Sequence, residues 1–357
     1  MATIQSATLK LWIYTGNFGS KDPNNPTYTL QKDRLPSESG ITFDIAELVK
    51  DYIEIRFTGD YTNIQQSAWV EYELTRVFDD ATQSTLIGDF VAYNGYGDFE
   101  EGVNPSLSPV LLQSNTTIYV PEGEIPRVPI LRSINGAALV EYYTGGVLQN
   151  TETQGMIIDY MTADLDNYTA DTELLNADVT ILTTAIGTGL AEYDGADKMV
   201  IVASNGETTT VNVNYICEPN YTPYKVTFLN KFGVLQDLWF FKKRTDNLNV
   251  TKESYKRNTI DIGADSVSYS RYKSTKELYN INSDRSFTMN TGFVIEEFNE
   301  VIRQLLMTEN AWISENNEVY PIVPKTSSLD YKTQLNDKLI NFTLEFDYAY
   351  NDINNIH

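Results

Sequence analysis

The final stretch, residues 339–357, alternates apolar or aromatic residues with polar ones without a miss through its middle. Ile340, Phe342, Leu344, Phe346, Tyr348 and Tyr350 fall on one side; Asn341, Thr343, Glu345, Asp347, Ala349 and Asn351 fall on the other. A period of two specifies a strand and excludes a helix. At ~3.3 Å per residue this strand would run on the order of 36 Å, well beyond the usual length. The same period recurs near the start, with Ala7, Leu9, Leu11 and Ile13 on one face, then Ile53, Ile55 and Phe57, then Val70, Tyr72 and Leu74 with Val77 nearby. Half-buried antiparallel strands carry this pattern, so the chain is expected to be mainly β.

Punctuation divides the strands into three blocks. Pro121, Pro126 and Pro129 interrupt pairing and mark a boundary near residue 126. The segment 218–224, with two prolines, marks a second. The first block, 1–126, also holds a short helix pattern at 41–52 with Asp44 as its cap, and a glycine-rich loop at 93–105. The second block, 127–219, has hairpin signals at Gly145-Gly146 and Asn205-Gly206, the latter suited to a type I′ turn. Beyond that turn Val211, Val213, Tyr215 and Cys217 share a face, which makes Cys217 a small core residue. The segments 11–16 and 140–146 are faintly alike, a hint that blocks one and two are related sandwiches.

The third block, 220–357, opens on strands with a turn around Asn230 and Gly233. A polar stretch follows, holding Lys242, Lys243, Arg244, Lys252, Lys256 and Arg257. Then comes the one convincing helix pattern, within 290–312. Phe293 or Val294, Phe298, Val301, Ile302, Leu305 and Leu306 recur at helical spacing, with Glu296, Glu297, Glu300, Arg303 and Gln304 opposite. The fold expected is two antiparallel β-sandwich-like modules followed by an α+β module with one amphipathic helix packed on a sheet.

Charge and composition restrict the chemistry. A net charge of −23 repels phosphate backbones, which excludes nucleic acid as a natural partner. The charge is uneven: residues 1–219 hold 10 Lys and Arg against 31 Asp and Glu, whereas residues 220–357 hold 16 against 18. The last part can therefore pack against another molecule with little repulsion. The single histidine, His357, and the single cysteine, Cys217, leave no Ser-His-Asp or Cys-His nucleophile system and no cysteine zinc site. No apolar run reaches the ~20 residues of a membrane span. The N-terminus enters a strand pattern without a basic region and apolar block, so no secretory signal is expected.

Paired carboxylates are the enzymatic option that survives, since glycoside hydrolysis runs on two acids. Asp98, Glu100 and Glu101 in the glycine-rich loop are the candidates, with a solvated acidic loop as the plain alternative. Residues 164–173, with Asp164, Asp166, Asn167, Asp171 and Glu173, invite a calcium reading. However, Tyr168, Thr169 and Leu175 stand where an oxygen ligand, a glycine and the bidentate acid belong. The basic cluster Lys242, Lys243 and Arg244 beside Trp239, Phe240 and Phe241 reads as a contact for an acidic neighbouring protein.

Residues 223–243, the helix segment 287–306 and the closing 331–354 resemble the C-terminal region of virion structural proteins of tailed bacteriophages, in segment style and order. The resemblance covers about the last 140 residues and carries no catalytic fingerprint. It implies a tail, baseplate, neck or fibre-attachment component, with no cofactor, made in the bacterial cytoplasm and resident in the particle. Other virion proteins and copies of itself would be its partners. Trp239, Phe240, Phe241, Lys242, Lys243, Arg244, Tyr348 and Tyr350 are the interface candidates, the tyrosine end reaching a neighbour's sheet edge. A receptor- or carbohydrate-binding module and a polysaccharide depolymerase are the alternatives.

Overall fold

The computed structural model describes residues 3–16, 18–61, 66–101, 110–132, 137–153, 187–218, 220–262, 266–331 and 340–350. The fold is mainly β, with two short α-helices among the described residues, and the chain divides into two compact units. Unit 1 comprises Met1–Cys217 and Thr227–Leu238, and unit 2 Glu218–Val226 and Trp239–His357.

Unit 1 begins with β1 (Ile4–Tyr14), β2 (Tyr28–Asp33), α1 (Ala46–Lys50), β3 (Ser67–Phe78) and β4 (Gln83–Tyr93). The four strands form one antiparallel sheet in the order β2-β1-β3-β4. Leu9, Leu11, Ile13, Ala68 and Val70 bury one face of it under Val49 of α1 and Ile53. Asp44 is not the cap: Ile45 holds that position without a side-chain cap bond, and Asp44 accepts the Ala46 amide N–H at 3.2 Å in the turn that precedes the helix. The expected strand at 52–59 is absent: Ile53 and Phe57 are buried at alternate positions, but the segment is coil with no ladder. Alternation there records one-sided burial against the sheet, which an extended coil satisfies as well as a strand does. Among the described residues, this part of the first block is one four-stranded sheet covered by a helix and coil.

The rest of unit 1 contains β5 (Thr117–Pro121), β6 (Arg127–Arg132), β7 (Ala137–Thr144), β8 (Val147–Thr153), β9 (Gly187–Glu192), β10 (Lys198–Ala203) and β11 (Thr208–Ile216). A five-stranded sheet, β5-β11-β10-β7-β8, faces the β6-β9 pair across a core of Val128, Ile130, Val140, Tyr142, Met199, Ile201, Val211 and Val213. β5 lies in the stretch expected to close the first block, yet it pairs parallel with β11. Pro129, expected to interrupt pairing, sits inside β6 opposite Leu190. A strand of a two-stranded sheet tolerates a missing N–H. The Gly145-Gly146 hairpin forms, both glycines at positive φ. The Asn205-Gly206 turn is not type I′: only Gly206 takes positive φ, and the loop closes through Ala203 and Glu207. Cys217 is exposed, because β11 ends at Ile216 and the alternation ends with it.

The hairpin of β12 (Tyr224–Leu229) and β13 (Leu235–Phe240) turns at Asn230–Gly233, as expected. Its tip belongs to unit 1. Asn230 donates to the Leu112 carbonyl at 2.7 Å and to Gln236 at 3.1 Å. A Cβ on Gly233 would meet Asn94 and Gly95 backbone atoms at 2.8–2.9 Å.

Unit 2 adds β14 (Thr245–Lys256), β15 (Ile260–Ile262), β16 (Val267–Tyr269), β17 (Lys276–Asn290), α2 (Phe298–Met307), β18 (Ala311–Glu315), β19 (Glu318–Pro324) and β20 (Thr343–Tyr348). The sheet order is β13-β12-β18-β19-β20-β17-β14, with β15-β16 as a separate hairpin. α2 buries Phe298, Val301, Ile302 and Leu305. It starts later than its sequence pattern: Phe293 is exposed, and Val294 bridges to Ile340. Gln304, expected on the solvent side, is buried and donates to Glu300 at 2.9 Å.

Among the described residues the closing segment forms a six-residue strand, and β17, at fifteen residues, is the longest. β20 is interior to the sheet, flanked by β17 and β19. Gly233→Ala should cost more than about 1 kcal/mol, because the added methyl needs a positive φ and meets backbone. A lowered denaturation midpoint with an unchanged m-value checks this.

Candidate interaction surface

Two of the eight candidate contacts, Phe240 and Phe241, lie in the unit 2 core at 0% and 3% exposure. Phe240 meets Phe346 edge-on at 5.7 Å, and Phe346 stacks on Phe287 at 5.5 Å. Leu238 and Phe240 form the inward face of a core strand. Trp239 is half-buried on the other side.

Arg244, expected in an exposed basic cluster, is nearly buried, with 9% of its side chain accessible. Its guanidinium donates to Asp246 at 2.7 Å, to Glu315 at 2.7 Å and to the Tyr348 hydroxyl at 2.8 Å. It also lies over the rings of Tyr224 and Phe287 at 4.9 and 4.4 Å. Burial opposes its charge, but the bonds to Asp246 and Tyr348 and the Glu315 carboxylate outweigh this and hold its pKa above the ordinary value. Tyr348 in turn donates to Glu315, and burial with that bond pushes its hydroxyl up to about 12.

Tyr348 therefore completes its own unit, and the same holds for much of the tyrosine end. Tyr350 packs on Tyr320 and Tyr348 at 6.1 and 5.2 Å, though it stays exposed at its outer side. Lys242 forms a 2.6 Å bond with Glu218, and this bond holds the Glu218 carboxyl below its usual value. Lys243 is exposed. Of the basic cluster, Lys243 and the outer part of Lys242 face solvent.

The surface that sequence reasoning missed begins where Arg244 ends. All twelve residues of β14 are exposed. β14 pairs with β17 along its whole length, but β20 pairs only with Ser286–Asn290. Lys276–Arg285 thus pair with β14 alone among the described residues, and the two strands form an arm extended by the β15-β16 hairpin. The register places Leu248 and Val250 on the face of Lys252, opposite Ile281, and the irregularity at Glu253/Ser254 brings Leu278 opposite Ser254 on that same face. Phe287, opposite Asp246, lies there too, so the stripe continues the core face of the sheet into solvent. The other face holds Tyr255 and Tyr279, whose rings are 6.1 Å apart, with Tyr255 donating to Glu277 at 2.7 Å. The one signal in the sequence was the Leu248, Val250 alternation, embedded in polar residues.

Elsewhere, in unit 1, a cleft of about 780 Å³ is lined by Tyr14, Thr15, Ser20, Asp51, Tyr52, Glu54 and Arg56. In the acidic loop Phe99 is fully exposed, and Glu101 pairs with Lys231 at 3.1 Å. The calcium-like segment 164–173 lies outside the described residues. No described helix is long and apolar enough to cross a membrane. Comparison of the chain with protein-family models, curated proteins and solved structures finds no significant match.

Two outcomes test this geometry. Arg244→Met should cost about 3 kcal/mol by stranding Glu315 and Tyr348, and the double variant Arg244→Met, Glu315→Leu should regain part of it. Chemical denaturation of the three proteins measures both. Lys242→Met should remove stability that is present at neutral pH and lost as pH falls through the depressed Glu218 pKa. The difference in unfolding midpoint between variant and parent should therefore shrink in acid.

Proposed function

We propose that this chain is an architectural component of a tailed-bacteriophage particle, in the tail, baseplate or neck region. It holds position by contacts with neighbouring virion proteins and with copies of itself, without catalysis. The observation that carries this reading is the arm: β14, exposed along its whole length, paired with the largely exposed outer part of β17, carrying large apolar residues and attached to a sheet whose root is fixed by a buried ion network. Such a projection adds no core to its own unit, and an exposed apolar strand pair is a hazard that a lone globule gains nothing by keeping. The resemblance of the last ~140 residues to phage virion proteins points the same way.

The interface candidates narrow accordingly to Lys243, the outer faces of Lys242 and Tyr350, and the arm. A depolymerase acting through Glu100 and Glu101 is less supported, since Glu101 is engaged with Lys231. A carbohydrate-binding role has one observation in its favour, the unit 1 cleft with Tyr14 and Tyr52 beside polar and charged groups.

Quantitative mass spectrometry of purified particles from the phage that encodes the chain should find it in a fixed copy number relative to the other virion proteins. Its absence from intact particles, with glycan-array binding by the full chain, would transfer the assignment to the carbohydrate reading.

A further inference from the structure

We infer that β14 is the docking edge for a second copy of this chain, the two β14 strands pairing antiparallel about a two-fold axis at Thr251. This rests on the reading of the chain as an assembly component and names the surface and partner it uses. β14 is the last strand in the sheet order, and its outer edge carries no ladder among the described residues. That edge presents a row of backbone donors and acceptors twelve residues long, twice an ordinary strand. Beside it lie Leu248, Val250, Leu278 and Ile281 at 56, 45, 51 and 39% exposure, on the face that is core farther along the sheet.

The sequence of β14 selects its own kind as occupant. Two-fold pairing of a strand with its copy sets one residue opposite itself. Centring on Lys252 or Glu253 opposes like charges at the axis. Only centring on Val250 or Thr251 brings nearly the whole strand into register without that conflict. The Val250 centre places Lys256 opposite Arg244 of the second copy. The Thr251 centre places Asp246 opposite Lys256, twice, with Thr251 facing Thr251 and Val250 facing the Lys252 stem. Asp246 already accepts from Arg244, and a carboxylate has lone pairs for a second donor. Overall charge permits the approach: residues 245–290 carry seven Lys and Arg against six Asp and Glu, in a chain of net −23.

Cysteine cross-linking of the full-length chain tests the register. In a Cys217→Ser background, which removes the exposed native thiol, Thr251→Cys should oxidise to a covalent dimer in most molecules. Directly opposed Cα atoms in an antiparallel pair lie about 4.5–5.5 Å apart, within disulfide range. Val250→Cys and Lys252→Cys should each cross-link poorly, because their own copies are diagonal neighbours at about 7–8 Å. Co-expressed with distinct tags, however, those two variants should form a mixed dimer. All three positions are exposed, so folding is preserved, and circular dichroism checks this.

Light scattering should give twice the 40.4 kDa chain mass for the parent. A mass that stays at one chain over a wide concentration range, or cross-linking as strong at Val250→Cys as at Thr251→Cys, would overturn the proposal. Its failure is distinct from failure of the architectural reading: a monomer found in particles sinks only the β14 edge, and a cross-linked dimer absent from particles sinks only the virion assignment.

Discussion

Arg244 is a charge held where charge is costly, at the point where β13 has ended and β14 begins. Removing a guanidinium from water costs several kcal/mol, recovered only when its donors are all engaged in good geometry. Here the partners come from the start of β14, the end of β18 and the end of β20, with the Tyr224 and Phe287 rings on its faces. The network therefore ties the root of β14 to two strands that are not its ladder neighbours. Beyond that root β14 has only β17, so the change from core to arm occurs within a few residues of a single side chain.

Most of unit 2's interior was legible because it follows one rule. Phe342, Leu344 and Phe346 alternate and are all buried; Phe298, Val301, Ile302 and Leu305 recur at helical spacing and are all buried. Where the rule changes meaning, the expectation failed. The alternation continues to Tyr348 and Tyr350, but β20 is interior, so a tyrosine end that reads as leaving the core instead closes it through Arg244 and Tyr320. Ile53 and Phe57 likewise alternate in coil. Periodicity reports which side is covered, and pairing must be learned from the partner.

The arm was illegible for a related reason. A strand buried on one face writes a period of two into its sequence because apolar residues are required there. β14 is covered on neither face, so nothing in its own fold demands the pattern, and the stretch reads as a polar, basic loop. The basic cluster was misjudged from the same cause: adjacency in sequence cannot separate Arg244, buried among carboxylates, from Lys243 in solvent.

The distribution of charge gives the arm its physical sense. Carboxylates are concentrated in residues 1–219, where a net −21 keeps separate molecules apart over the Debye length of about 8 Å at physiological salt. The arm, nearly neutral and lined with apolar side chains, is where that repulsion is weakest and where covering surface gains most. Lysines on an edge strand ordinarily deter pairing. Lys252 and Lys256 meet themselves or each other when β14 pairs with its copy about Lys252, Ser254 or Lys256, whereas the Thr251-centred register sets Lys256 against Asp246. In the proposed pairing, repulsion over most of the surface and contact along one strand would restrict association to a defined geometry, as a symmetric assembly requires.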